Sequence, residues 1–362
     1  MDILGPDSLA LPAGAEPALE LLAQTAAAAD LGGVPRSSID ALAQAGLLGC
    51  PLEPVAVQRE LAERIAMACA TTWFCWTQHQ TPMLTLSGAP DSLAVAELRQ
   101  RWLAGLESGE LLGAVAFAHV RRPGPPNPVA ERAENGWLIN GTLDWVTSWD
   151  IADVVLVMVR GSGADADSLI SFYLPAGRSV AAGETLPAGV QVGGLLKLLS
   201  MSGTHTRPVT FENVFIPDAL VVSVQPWSDW QRSDLRKTAQ PNPAAFGIIR
   251  GAISELHEIG TSRSDEVIVE LAEQMRVEAS ELRRSAYLAI DDANSATEDL
   301  QVLRARSLEL AVRTATAVVI ARSGSAMITG CSAERRLRES MFLQVQAQTL
   351  ISRHAALALL SS

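Results

Sequence analysis

Two tryptophans, Trp145 and Trp149, flank the hydroxyl residues Thr147 and Ser148 near the end of a predicted strand. Such a cluster offers a flat apolar wall beside hydroxyl groups, and this suits a planar heteroaromatic ligand. The alternative is an aromatic sheet core in which the hydroxyl residues only end the strand.

The cluster follows an Asn140-Gly141 pair that lies between alternating apolar residues. Because both residues of a tight hairpin turn must accept positive φ, this pattern predicts a hairpin whose turn is Asn140-Gly141. The second strand of that hairpin would carry the tryptophan and hydroxyl cluster, and buried strands would follow at residues 154–159 and 168–174.

Residues 136–153 have the pattern G-W-x-x-x-G-x-x-x-W-x-T-S-x-x-x-A-D, which resembles the middle domain of the acyl-CoA dehydrogenase superfamily. Residues 201–217 resemble the strand pair that closes the same domain, and residues 324–339 resemble the family's C-terminal glycine turn and basic helix start. The order and spacing of these motifs make the resemblance specific, and it covers most of the chain.

The resemblance implies FAD as the cofactor, with Trp145 packed on the isoalloxazine ring and hydroxyl groups bonded to its N5 and O4 side. The cofactor-binding residues that it implies are Trp145, Val146, Thr147, Ser148 and Phe117.

The family's catalytic base is a carboxylate in one of two places, and this chain has a carboxylate in neither. Ala347 stands where the C-terminal glutamate is expected, and the other place reads Gln240-Pro241-Asn242-Pro243. These side chains cannot accept a proton at neutral pH, so ordinary α,β-dehydrogenation of a thioester lacks its base. The catalytic residue is therefore unassigned, with His119 as the titratable candidate beside the expected flavin edge.

The grip on the rest of the cofactor also departs from the family's pattern. Residues 116–126 replace the family's T-E-P-x-x-G-S-D-like turn, and their Arg121 and Arg122 either pair with phosphate or lie in solvent. The stretch that contacts adenosine across the family's dimer is shortened to residues 260–265, and Ala321 replaces a glutamine.

Three further features are interpreted as structural or absent. His79 shares a helix face with Trp73 and Trp76 and is expected to pack between helices. The charged run Glu334–Glu339 is expected to form ion pairs. No G-x-S-x-G elbow occurs, and the scattered histidines and four cysteines show no metal-ligand spacing.

Periodicity divides the chain into three parts. Residues 1–110 predict an N-terminal helical domain, residues 111–220 an antiparallel β-barrel domain, and residues 221–362 a C-terminal four-helix bundle preceded by a connector at 221–243. The fold class expected is therefore α+β multidomain of the acyl-CoA dehydrogenase type.

Composition limits the partners. The 362 residues carry a net charge of −12 with no basic run, which excludes nucleic acid as an expected partner. No apolar run reaches the roughly 18 residues of a membrane span, and residues 1–7 carry no signal-like segment. We therefore expect a cytoplasmic protein with reduced cysteines. The family resemblance implies a small acyl substrate and a homo-dimer or tetramer, or a pairing with an active homologue.

The resemblance and its departures predict a flavin-dependent oxidoreductase that acts on an acyl-CoA or related acyl thioester. One alternative is a two-component flavin monooxygenase of the same fold, which borrows reduced flavin and needs no carboxylate base. The other is a catalytically silent subunit of a heteromeric acyl-CoA dehydrogenase.

Overall fold

A computed structural model describes residues 9–49 and 51–360. The expectations placed on residues 1–7 and on Cys50 lie outside the described residues. The helices are α1 (Ala15–Gly32), α2 (Arg36–Gln44), α3 (Val55–Ala68), α4 (Ala70–Gly88), α5 (Leu93–Leu98), α6 (Ala104–Ser108), α7 (Gly177–Ala181), α8 (Trp227–Ala239), α9 (Pro243–Arg263), α10 (Glu266–Asp291), α11 (Thr297–Arg322), α12 (Ser332–Val345) and α13 (Leu350–Leu359).

The strands lie between α6 and α8 along the chain. They are β1 (Gly113–Ala116), β2 (Val129–Ala133), β3 (Gly136–Val146), β4 (Val154–Gly161), β5 (Ser168–Pro175), β6 (Val190–Val192), β7 (Arg207–Pro217) and β8 (Val221–Pro226). This order of helices, strands and helices confirms the predicted α+β fold class. The domain limits at residues 110 and 220 stay a prediction, and the expected connector contains β8 and α8.

Two long helical stretches of the chain are interrupted in the structure. The stretch 58–75 breaks at Cys69, whose extended backbone ends α3 and whose Sγ accepts a hydrogen bond from the Thr72 amide to begin α4. The stretch 334–360 breaks after Val345, and Thr349 caps α13 by accepting from the Ser352 amide. Both breaks occur where a side chain satisfies amides that a continuous helix would have paired.

The strands form one mixed sheet with the order β6-β7-β3-β2-β4-β5-β8. Most neighbours are antiparallel, as predicted, but β4 runs parallel to both β1 and the start of β2. In the part of the chain that is described, β6 and β8 end the sheet without pairing to each other. The sheet is therefore not closed by hydrogen bonds between its two end strands. It is mixed and not purely antiparallel, because the long connection from β1 to β2 brings both strands to the same edge of β4.

The predicted hairpin turn at Asn140-Gly141 is wrong. β3 runs without interruption through both residues, and the turn is Glu134-Asn135, with Asn135 at φ 58°. The Asn140 side chain instead accepts a hydrogen bond from the Asn213 amide, 2.8 Å away. Gly141 is required for a close approach, since a Cβ there would lie 2.1 Å from the Asn127 side-chain oxygen.

Three apolar cores hold these layers. One joins α1, α3, α9 and the later helices, a second fills the inner face of the sheet, and a third lies between α4–α6 and the outer face of β4 and β5. A buried ion cluster crosses the first core, where Arg250 and Arg283 each contact both Glu60 and Glu63. The run Glu334–Glu339 forms the ion pairs expected of it, among them Arg338 with Asp30 at 2.5 Å.

Candidate functional site

The end of β3 carries the most accessible part of the predicted cofactor cluster. One extra residue of β3 lies between the pairs Leu143–Val209 and Val146–Arg207, so the strand bulges there. A bulge turns side chains away from the regular alternation, and Trp145 is 47% exposed while Leu143 and Val146 are buried. The structure thus leaves a large indole available for contact at the strand end.

The three residues that follow Val146 are buried: Thr147 is 8% exposed, and Ser148 and Trp149 lie deeper in the interior. Ser148 adopts φ 67° and its amide donates to the Thr204 carbonyl at 2.9 Å, which turns the chain away from the strand. Its buried hydroxyl has no well-aligned partner among the described residues and lies beside Cys75, where burial raises the pKa of the thiol to about 12.

Trp145 is therefore the exposed residue of this cluster, and Thr147, two residues further on, has 8% of its surface exposed. Val146, Ser148 and Trp149 support the strand end from within the core. Trp149 belongs to the inner sheet core, which is the alternative that the sequence left open for it.

The segment after β1 holds Phe117 and His119. Phe117 is half-buried, with its ring against the edge of Trp230 at 6.2 Å and beneath the Arg121 guanidinium. The His119 Nε2 lies 2.7 Å from the Met158 carbonyl oxygen, and burial lowers the pKa of the imidazole to about 4. A neutral histidine bonded to a backbone carbonyl is a weak base at neutral pH, so its position favours a structural role.

Both arginines of this segment form ion pairs, and Arg122 lies at the surface, as one of the two expectations had it. Arg121 is bound at two points by Asp234 of α8, at 2.7 and 2.8 Å, and both side chains are largely buried. Arg122 pairs with Asp144 at the end of β3. No sequence pattern points to Asp234 as a partner, because it lies 113 residues away in the predicted connector.

The structure brings together the two places where the family has its base. The Asn242 side chain, at the start of α9, donates to the Gln346 side-chain oxygen at 3.2 Å. Ala347 follows directly, at φ 51°, in the segment between α12 and α13. Arg304 of α11 donates to the carbonyls of Gln240 and Gln346 at 3.1 and 2.8 Å, so it fastens both segments.

Neither segment supplies a carboxylate, so the adjacent loops offer amides, an alanine and one buried cation. Sequence reasoning missed Arg304, although a signal existed. It stands four residues after Leu300 and four before Leu308, on the buried stripe of α11. A charged residue within an apolar stripe needs a partner in the interior.

His79 has the structural position expected of it. The ring is fully buried, and its Nδ1 accepts a hydrogen bond from the Gly113 amide at 3.0 Å. Burial lowers the pKa of His79 to about 4. The side chain therefore fixes the start of β1 against α4. No group of metal-ligating side chains occurs within residues 9–49 and 51–360.

The shortened adenosine segment lies at the turn between α9 and α10, beside an open cavity of about 610 Å³. Its one arginine, Arg263, donates to the Ala321 carbonyl at 2.6 Å. The carboxylates that line the cavity are those of Asp265, Glu266, Glu270 and Glu273.

The two ends of a flavin site therefore fit FAD unequally. The exposed indole of Trp145 and the hydroxyl of Thr147 suit an isoalloxazine ring, since an aromatic face stacks on it and a hydroxyl can bond its polar edge. The α9–α10 turn presents acidic side chains where a diphosphate would need cations. The residues present fit the flavin ring better than they fit the adenosine diphosphate half of FAD.

Comparison with known proteins gives a partial sequence match. No protein-family model matches the chain. The mitochondrial isovaleryl-CoA dehydrogenase of Solanum tuberosum is 28% identical over 133 residues, which are 35% of this chain and 29% of that relative. The match thus spans less than a third of the relative's length.

Solved structures match over nearly the whole chain. Butyryl-CoA dehydrogenase from Megasphaera elsdenii has a TM-score of 0.75 at 16% identity, covering 98% of this chain and 100% of that one. Glutaryl-CoA dehydrogenase from Mycobacterium smegmatis in complex with FADH2 has a TM-score of 0.72 at 16% identity, covering 97% and 95%. KijD3 in complex with FMN and dTDP-3-amino-2,3,6-trideoxy-4-keto-3-methyl-D-glucose has a TM-score of 0.69 at 16% identity, covering 96% and 91%.

The chain therefore shares its fold with acyl-CoA dehydrogenases over nearly its whole length, and a stretch of its sequence is similar to theirs.

Proposed function

We propose that the protein is a flavin-dependent oxidoreductase that acts on an acyl-CoA or a related acyl thioester. The observation that carries the proposal is the exposed indole of Trp145, two residues before Thr147, at a bulged strand end of this fold. A bound flavin would supply the redox step, and the chain would bind and orient the ring. Trp145 would stack on the ring, and the Thr147 hydroxyl would bond its polar edge.

FAD is the flavin that the family resemblance favours, and a neighbour of the same fold was solved with FADH2. Another neighbour was solved with FMN, and the acidic α9–α10 turn favours a flavin without a diphosphate. We therefore propose a flavin held mainly by its ring, with FAD bound less tightly than a cation-lined turn would allow.

The paired base segments limit the reaction that this site can perform alone. Removal of a proton α to a thioester carbonyl requires a base within hydrogen-bond reach. Ala347 cannot serve, and the adjacent Asn242 and Gln346 amides do not accept protons at neutral pH. The isolated protein is therefore expected to bind acyl thioesters without oxidising them at a useful rate.

This absence favours a second function, a two-component flavin monooxygenase that receives reduced flavin from a reductase. Such an enzyme needs no carboxylate base and tolerates a weak hold on adenosine. The site offers it the same ring-binding pair and the same neutral base segments.

The test is an absorbance spectrum of the purified protein, before and after addition of FAD or FMN, followed by anaerobic addition of a series of acyl-CoA thioesters. Flavin binding without bleaching is the expected result. Bleaching by the unmodified protein would mean that another group acts as the base. If neither flavin binds, the silent-subunit function becomes the leading proposal.

We also propose that the chain forms a homo-dimer or tetramer or pairs with an active homologue. The later helices expose large apolar side chains that a subunit contact would cover, among them Ile320, Met327, Ile328 and Leu350. Among the described residues, none of the helices is long and apolar enough to cross a bilayer. A cytoplasmic location stays a prediction.

A further inference from the structure

Arg304 differs from the other buried arginines in what surrounds its charge. Arg250 and Arg283 contact the carboxylates of Glu60 and Glu63, and Arg335 lies 3.4 Å from Glu339. Arg304 is 5% exposed, yet across the described residues it contacts no carboxylate. Its partners are two backbone carbonyls, which satisfy hydrogen bonds but leave the positive charge uncompensated.

Burial of a cation without a neighbouring anion is unfavourable in free energy, and it lowers the pKa of the cation. Burial, and secondarily the nearby Arg121, lower the pKa of the guanidinium to about 10. The side chain still carries its proton at neutral pH, so the charge persists. Arg121 cannot relieve it, because it is itself a cation and is already paired with Asp234.

Arg304 lies between the two segments where the resemblance places a base. Arg304 bonds to the Gln346 carbonyl, directly before Ala347, and to the Gln240 carbonyl on the adjacent segment. Two of its five N–H groups are used in these bonds, which leaves donors for another acceptor. The charge of Arg304 therefore lies beside the two segments where the resemblance places a base, and neither segment carries a carboxylate.

We propose that Arg304 binds a carboxylate carried by the substrate, so that the natural substrate is an acyl thioester with a second, anionic end. The inference rests on the proposed function, because it places the acyl chain beside Ala347 and Arg304. A planar guanidinium with free donors suits a carboxylate better than an uncharged group, since charged partners form stronger hydrogen bonds.

The experiment compares two thioesters of equal chain length by calorimetry on the flavin-loaded full chain. Glutaryl-CoA ends in a carboxylate, and valeryl-CoA ends in a methyl group. The unmodified protein should bind glutaryl-CoA at least about tenfold more tightly. Arg304→Gln keeps a donor for the carbonyls but removes the charge, so it should abolish the preference and leave valeryl-CoA affinity nearly unchanged.

Two variants control the interpretation. Arg304→Lys keeps the charge and should retain most of the preference. Arg236→Gln removes an arginine of α8 that also donates to backbone carbonyls, those of Ser295, Asp292 and Ala293, and it should retain all of the preference. Equal affinity of the unmodified protein for the two thioesters overturns the proposal, whether or not Arg304→Gln folds. A preference that survives in folded Arg304→Gln overturns it as well.

Free glutarate separates this proposal from the proposed function. If neither thioester binds but glutarate raises the melting temperature of the unmodified protein and not of Arg304→Gln, the anion site stands and the acyl-CoA function fails. If both thioesters bind equally and glutarate has no effect, the acyl-CoA function stands and the anion site fails. If neither thioester binds and glutarate has no effect, both fail.

Discussion

The sheet side and the helical side of the candidate site differ in what they retain. On the sheet side, the end of β3 offers Trp145 and Thr147, which suit an aromatic ring. On the helical side, Ala347 and Asn242 stand where a base is expected, and acidic residues line the α9–α10 turn. Stacking on a ring needs only shape and an apolar face, whereas proton transfer and diphosphate binding each need a specific charge. The residues of the candidate site suit ring stacking, but they lack the charges that proton transfer and diphosphate binding need.

The largest expected effect comes from restoring the base on the helical side. Ala347→Glu should accelerate anaerobic flavin bleaching by acyl-CoA thioesters by about 10²–10⁴-fold, because a positioned general base contributes that much. Ala347 already has a Cβ at the positive φ of 51°, so a glutamate there adds little further backbone strain.

Stopped-flow absorbance of the flavin measures this rate. Gln348→Glu, which places a carboxylate one residue further, is the matched control and should stay slow. Equal rates in Ala347→Glu and the unmodified protein would show that the helical side has lost more than its base.

The second effect concerns His119 on the sheet side and separates a structural from a catalytic histidine. Its folded-state pKa of about 4 lies below the ordinary value of 6.5, so the folded state binds fewer protons than the unfolded state. Its contribution is complete above pH 6.5 and is lost as the pH falls toward 4. Between pH 7 and pH 4.5 this loss is roughly 2–3 kcal/mol.

His119→Gln should reduce the acid dependence of the unfolding free energy by about that amount, as measured by urea titration at both pH values. The exposed His354→Gln is the control. An unchanged acid dependence, together with loss of the flavin bleaching gained by Ala347→Glu, would assign His119 to the chemistry instead.

The third effect tests the ring contact on the sheet side. Trp145→Ala removes a stacking surface worth on the order of 1–3 kcal/mol, so flavin affinity should fall roughly tenfold or more. Flavin fluorescence quenching measures it. Phe215→Ala, which removes an exposed ring elsewhere on the sheet, is the matched control. An unchanged affinity in folded Trp145→Ala would mean that the flavin binds elsewhere and that the sheet side does not hold the ring.

The smallest effect tests the acidic α9–α10 turn. Glu270→Lys should raise the affinity for FAD a few-fold and leave FMN affinity unchanged, because only FAD carries the diphosphate. The gain should shrink at high ionic strength. Glu281→Lys, on α10 but outside the cavity lining, is the control. Equal gains for FAD and FMN would mean a general charge effect and not a local contact.

Sequence patterns are enough to predict the order of helices and strands and the place of Trp145 near a strand end. Periodicity reports which faces are apolar, and this is a local property that holds before the chain folds. The sequence also shows that both positions where the resemblance places a base lack a carboxylate, because the identity of a residue decides whether its side chain can accept a proton.

Which residues of the candidate site are exposed to a ligand depends on tertiary contacts, and the sequence pattern does not report it. The bulge in β3 exposes Trp145, and the left-handed backbone at Ser148 directs the Ser148 hydroxyl into the interior. Neither the bulge nor the turn can be recognised from the sequence pattern. The Asn140-Gly141 pair became part of a strand because its partner strand approaches closely there, which no short-range pattern reports. The uncompensated charge of Arg304 emerged only when three distant segments met around it, since burial and pairing are properties of the packed chain.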